Sequence, residues 1–270
     1  MEQTKWLKAL KGLSKQLLFL LFWILIWQFA AWRVNVPFIL PTPLDVLKSF
    51  GRLLRGSIFY RAVARSLLSL LLGFGAGCLI GILTAIPSAF SKSFISFVSP
   101  VYTVIRATPV ASFIIIAWVF LDKSRLPAFI SLLMTVPIIW SNLSRGLRAL
   151  DRSLLEVTKV YHFGFFKSLR VYWLPSLFPF LSAGFSTALG LAWKSSIATE
   201  ILVKSSETIG YYIWDAKAWS IDTSALFAWT VAVIIFSLLF DSLVGLLFHR
   251  LSAPKNRRKE VPPYAEDHRR

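Results

Sequence analysis

The chain is 270 residues long, 56% hydrophobic and only 16% charged, with 11 Trp, 23 Phe and a mean hydropathy of +0.64. That composition excludes a soluble globular domain and describes a polytopic membrane protein. The net charge of +17 does not make a nucleic-acid surface, because Lys and Arg are parcelled into loops and tails between apolar stretches, where they act as orientation signals and attract anionic lipid.

Several windows approach or exceed the about 20 apolar residues that cross a bilayer as a helix, and they are continuously apolar rather than alternating, so helices are expected. The single Cys78 lies inside one of them, which leaves no disulfide framework and no cysteine-based zinc cluster within one chain. Residues 1–35 form the first unit: Lys5, Lys8, Lys11 and Lys15, then an apolar run from Leu17 to Trp32. The run is long for a signal peptide, rich in Trp and without a small-x-small cleavage site before Arg33, so it reads as an uncleaved first span with the N-terminus in the cytosol. In the second unit, 36–60, Leu40-Pro41-Thr42-Pro43 cannot continue a helix, and Thr42 or Asp45 can start a new one. Residues 44–59 then read as an amphipathic helix at the outer surface. Arg52 and Arg55 there run against the positive-inside rule, with headgroup contact as their one physical rationale.

Residues 61–250 hold five further spans. The second span, about Ser66 to Ile86, carries Gly73, Gly77 and Gly81 four residues apart, a helix face without side chains that lets another backbone come close. Two readings stand: packing around a pathway or a second copy, and packing within one subunit. The third span, Pro100 to Leu121, contains Arg106 as either a snorkelling anchor or a pathway residue, and Pro109 as a kink. A turn at Asp122-Lys123-Ser124-Arg125 leads to the fourth span, Leu126 to Leu143, kinked near Pro137.

The segment that follows, 151–175, is the longest charged stretch between two apolar ones. Ser153-x-x-Glu156 is a capping-box pattern, Gly164 is expected to end that helix in the left-handed conformation, and Leu174-Pro175 is expected to stop a second short helix. Arg145, Arg148, Arg152, Lys159, Lys167 and Arg170 against Asp151 and Glu156 place this loop in the cytosol, as do four preceding spans. The fifth span, Phe178 to Ile201, holds Lys194 and Glu200. Lys194 either lines a pathway for an anion or joins a buried pair. Pairing with Glu200 itself, six residues on, is a poor spacing for one helical face. The loop beyond it is slightly acidic, which suits the external side. The sixth span, Ala225 to Phe248, leads to a basic tail at 251–270, so both termini are expected in the cytosol.

The 151–175 segment resembles the signature of the permease subunits of bacterial ABC importers: Glu-Ala-Ala, three residues, Gly, nine residues, Ile, one residue, Leu-Pro. Here Glu156-Val157-Thr158 stands at the opening and Tyr172-Trp173-Leu174-Pro175 at the close, with the required 19 residues from Glu156 to Pro175. The departures are Val-Thr for Ala-Ala and His162 where the pattern has Gly, the chain's own glycine coming two residues later. The LPTP at 40–43 resembles the LPSP-type motif of the nitrate, sulfonate and taurine importer group, and Thr199-Glu200 and the Ile-Gly-Tyr-Tyr-Ile at 209–213 are similar to that group as well. The resemblance covers about residues 36–250.

It implies an all-α polytopic protein with six transmembrane helices and a cytoplasmic coupling-helix loop, embedded in the bacterial inner membrane. It implies coupling through Ser153, Glu156, Val157, Thr158, Tyr161, His162, Gly164, Leu174 and Pro175 to ABC ATPase subunits that bind ATP and Mg²⁺. It further implies an extracytoplasmic solute-binding protein and a second copy of the chain as homodimer partner. By their charge within the spans, Arg106, Lys194 and Glu200 are the candidate pathway residues, and Lys194 and Arg106 suit a small anion such as a sulfonate or nitrate, toward which the LPTP-type resemblance also leans. The chain carries no Walker A motif, GxSxG, HExxH or CxxC, and His162, His249 and His268 lack metal-ligand spacing. No enzymatic activity, cofactor or metal is therefore expected in the chain itself. The alternative is a secondary transporter without an ATPase, which would show inverted repeats and acids within its spans.

Overall fold

A computed structural model describes residues 2–150 and 160–252, and among them every regular element is helical. Helix α1 (Glu2–Val34) contains the first apolar window, Leu17–Val34, and buries almost none of it. Its attachment is made by Trp27, whose indole Nε1 donates to the Pro41 carbonyl at 3.1 Å and whose ring lies 5.8 Å from Phe227. The Pro37–Leu40 turn delivers the chain to α2 (Pro43–Arg55), where Thr42 is the N-cap. Its hydroxyl accepts from the Asp45 N–H at 3.2 Å and donates to the Asp45 carboxylate at 2.7 Å, while Pro43 occupies the first turn, where no N–H is needed. The helix expected at 44–59 is thus shorter at its end: Gly56, with φ −90° and ψ 137°, breaks it before α3 (Ser57–Phe90) begins.

Helix α3 has 34 residues, longer than the span expected at Ser66–Ile86. The largest departure follows it. The single kinked span expected at Pro100–Leu121 is two helices, α4 (Lys92–Ala107) and α5 (Val110–Trp118), bent by 100° at Thr108-Pro109. Pro109 has no N–H to continue the ladder and forces Thr108 into extended conformation (φ −84°, ψ 134°), a break rather than a kink. At 9 residues α5 is about 13 Å long, too short to cross alone. Among the described residues five helices are long and apolar enough to span a membrane, and six result if the bent pair counts as one.

Helix α6 (Leu126–Arg148) is the axis of the bundle, the most buried of the spans, and runs unbroken through Pro137. Then come the one-turn α7 (Phe165–Ser168), a π-helical turn (Leu169–Trp173), α8 (Leu174–Val203), α9 (Ile209–Ala218) and α10 (Thr223–Ser252). One apolar cluster joins Leu70 of α3, Trp193 of α8 and Trp229 of α10, and a second joins Val98 and Tyr102 of α4 to Trp140 of α6.

Gly73, Gly77 and Gly81 all face α6. A Cβ on Gly77 would lie 2.6 Å from that of Thr135, one on Gly81 2.8 Å from that of Ile139, and one on Gly73 would meet the Ala128 carbonyl. Of the two readings of this stripe, the structure selects packing within one subunit. Lipid tails give two helices no hydrophobic reason to associate, so close backbone contact and interhelical hydrogen bonds hold them. The bonds are present: Ser131 donates to the Leu70 carbonyl at 3.3 Å, and Trp140 Nε1 donates to Ser88 Oγ at 2.8 Å. Gly75, on the same helix, has open space around it. We therefore expect Gly77→Leu to lower the thermal stability of the detergent-solubilised protein by about 1–3 kcal/mol, the usual cost of overpacking. Gly75→Leu should leave it unchanged, as read by fluorescence-detected size-exclusion chromatography after heating.

Candidate functional site: the 160–175 turn and the head of α8

Ser153, Glu156, Val157 and Thr158 lie outside the described residues. What the structure shows of the coupling segment is its second half. Tyr161 is well exposed, and the chain reverses at His162, which has φ +47°. No described glycine has positive φ, so Gly164 does not make the left-handed turn expected of it. It begins a helix instead: the Ser168 N–H donates to the Gly164 carbonyl at 2.9 Å. The left-handed residue thus falls where the importer signature places its glycine, and His fills it because such short polar-tipped residues tolerate this region better than branched ones do.

Leu174-Pro175 does not stop a second short helix. From Phe165 the helix continues without interruption through the π turn into α8, because the Leu174 N–H reaches back five residues to the Leu169 carbonyl. The wider π turn accommodates a proline ring that a regular turn would clash with, and Pro175 then sits in the first turn of α8. Lys167 Nζ stacks 4.1 Å above the Phe163 ring and ties the reversal to α7. The turn at His162 is therefore followed by unbroken helix into a 30-residue span.

The three charged residues grouped as a pathway are not joined by any ion pair. Arg106 is exposed in the last turn of α4, beside the helix break, where a cation is favoured by the free carbonyls. Lys194 is exposed on α8 while its neighbours Ala192, Trp193, Ser195 and Ser196 are buried. It forms no pair with Glu200.

Glu200 is fully buried and does not line an open path in the chain. Its Oε2 accepts the Ser66 hydroxyl at 2.8 Å and the Gly210 N–H at 3.0 Å. Ser66 Oγ accepts the Ile209 N–H at 3.0 Å, and Thr208 Oγ1 accepts that of Tyr211 at 3.2 Å. Three of the first N–H groups of α9 are thereby capped by side chains from three different elements. Gly210 is required for the approach, since a Cβ there would overlap that of Glu200. Sequence reasoning missed this cluster because Ser66 and Glu200 are 134 residues apart. It also missed the ion pair Arg65–Glu207 at 2.6 Å. The nearest sequence signal is the Ser-Ser-Glu-Thr run at 205–208 preceding Ile209-Gly210.

The chain matches the family described as binding-protein-dependent transport system inner membrane component over residues 77–253. It belongs to that family, the permease subunits of ABC importers, as the signature at 156–175 indicates. It is similar to the putative aliphatic sulfonates transport permease protein SsuC of Bacillus subtilis, with 31% identity over 81% of this chain and 79% of that one. It is also similar to the bicarbonate transport system permease protein CmpB of Synechococcus elongatus, at 27% over 92% and 90%. The nitrate import permease protein NrtB of Synechocystis matches at 26% over 79% and 78%. Among solved structures, a chain of the MetNI methionine ABC transporter in an inward-facing conformation superposes with a TM-score of 0.61 at 13% identity, over 72% of this chain and 96% of that one, which shows a shared fold.

The turn at His162 generates a test. Releasing the left-handed strain with His162→Gly should preserve function and steady the loop by about 1 kcal/mol, whereas His162→Val should loosen it by a similar amount or more. Limited proteolysis of the 150–165 region is the measurement, with Val expected to be cut faster than wild type and Gly no faster.

Proposed function

We propose that this chain is the membrane-spanning half-pathway of an importer that works as a homodimer with two cytosolic ATPase subunits, ATP and Mg²⁺ being bound and consumed in those partners. A binding protein delivers a small anion to the opposite face. The observation that carries the proposal is the continuity of the helix from Phe165 to Val203, behind a reversal at the signature's glycine position. A loop docked on an ATPase needs a stiff connection to the pathway, since a nucleotide-driven movement shifts the transport equilibrium only as far as it is transmitted. With both termini and the 151–175 loop on the cytosolic side, six spans and the excess of basic residues in that loop are satisfied together.

The anion assignment draws on two supports. Lys194 is an exposed cation in the middle of a span, which is costly in lipid unless it faces water or a partner. The similar permeases are named for aliphatic sulfonates, bicarbonate and nitrate. Glu200, by contrast, holds α9 in place rather than meeting the solute.

Two measurements check this. Glu156→Lys should abolish uptake and release the ATPase during gentle affinity purification while leaving membrane insertion intact. Normal uptake by that variant would remove the coupling role. Lys194→Met should reduce uptake on the order of tenfold or more, in keeping with the about 1.5–3 kcal/mol of a hydrogen bond to a charged group, and Lys194→Arg should restore most of it. Equal uptake by all three proteins would reduce Lys194 to a structural residue.

A further inference from the structure

Helix α2 carries a feature that the proposed function does not draw on. Its inner side is buried by Val46 and Ser49, with Phe50 and Leu53 packed against the main core cluster. Its outer side is divided lengthwise. Leu44, Leu47 and Leu54 are exposed at 57%, 65% and 39%. Beside that apolar row run Lys48, Arg52 and Arg55, all exposed. The spacings are four and three residues, which stacks the three cations on one face where they repel one another.

A groove of about 850 Å³ opens along this basic row, lined by Lys48, Arg52 and Arg55 together with Asp45, Pro37 and Ser224. The one carboxylate is already engaged by the Thr42 hydroxyl at 2.7 Å. Arg52 Nη2 donates to Ser49 Oγ at 2.7 Å, which fixes the guanidinium while leaving most of its five donors unused. The level of the groove follows from its walls. Pro37 comes just after the apolar window Leu17–Val34, and Ser224 lies in the first turn of the window Thr223–Phe248. The groove therefore sits where two spans leave the hydrocarbon, at headgroup depth, whichever side of the membrane that is.

We propose that α2 is an interfacial helix whose Lys48, Arg52 and Arg55 form a site for the phosphate of an anionic phospholipid. Leu44, Leu47 and Leu54 rest on the acyl chains beside it. Among the described residues the three cations form no salt bridge and outnumber the single carboxylate of the groove, Asp45, so the charge on the ligand complements the row, and the adjoining apolar row is what a lipid offers and a soluble acidic protein does not. The site also accounts for arginines that the positive-inside rule disfavours.

The test is native mass spectrometry of the full-length permease complex in mild detergent, titrated with phosphatidylglycerol or phosphatidylcholine of identical acyl chains. The wild type should bind phosphatidylglycerol on the order of tenfold more tightly. In K48Q/R52Q/R55Q that preference should fall to near one. The pair K48Q/R55Q, which keeps the Arg52–Ser49 bond and so the local fold, should be intermediate. K123Q/R125Q, at the turn before α6, should behave as wild type. Equal binding of the two lipids by the wild type would overturn the proposal, as would a preference unchanged in the triple variant or lost equally in K123Q/R125Q. Displacement of the lipid by millimolar inorganic phosphate would make this a free-anion site and overturn the lipid assignment.

Discussion

The approach of α3 to α6 is the constraint on which the other helices depend. Gly73, Gly77 and Gly81 let the two backbones meet where Thr135 and Ile139 occupy the space of the missing side chains. In a bilayer that contact is worth more than apolar burial, because lipid competes for every Leu and Phe but cannot enter a backbone-to-backbone seam. Helix α8 then packs against α6 nearer the C-terminal end of α6 by the same device: a Cβ on Gly146 would lie 2.8 Å from the Phe180 ring, and Gly184 lies close under Asn142. The result is a three-helix core, α3, α6 and α8, with the remaining helices around it. Helix α1 is bound through little more than Trp27 and leaves most of its surface to lipid.

Two regions of this core are specialised. At one end, the Glu200–Ser66 pair joins α8 to α3 and at the same time caps α9. The Arg65–Glu207 pair, about half-exposed on both sides, adds a weaker tie in the same place. At the other end, the π turn makes the root of α8 continuous with the reversal at His162. One helix thus connects the coupling segment to the capped helix at the far end, a distance of about 45 Å for its 30 regular residues.

The spans were legible because hydropathy is summed over many residues and survives errors at any one. The start of α2 was legible to within Thr42 or Asp45, because the capping partners are three residues apart; the coordinates select Thr42. What required coordinates was of two kinds. Ser66, Glu200 and Gly210 are brought together by packing alone, and no local pattern announces an acid that will cap another helix. The second kind was a contest between local rules. Gly164 is the better left-handed residue, yet the chain turns at His162, because reversal there lets the helix starting at Gly164 run into α8. Pro175 is an ordinary helix stop, yet a π turn absorbs it. Pro109 went the other way: a kink was expected, and with Thr108 held extended the chain turned through 100°.

Whether energy enters through the 151–175 loop from an ATPase is decided in proteoliposomes. The purified complex would be reconstituted with ATP and Mg²⁺ inside or omitted, the binding protein and labelled anion outside, and no ion gradient across the membrane. Uptake against a concentration gradient is expected only with internal ATP, unaffected by a protonophore. Uptake that proceeds without ATP and collapses when a proton gradient is dissipated would contradict it and make the protein a secondary transporter.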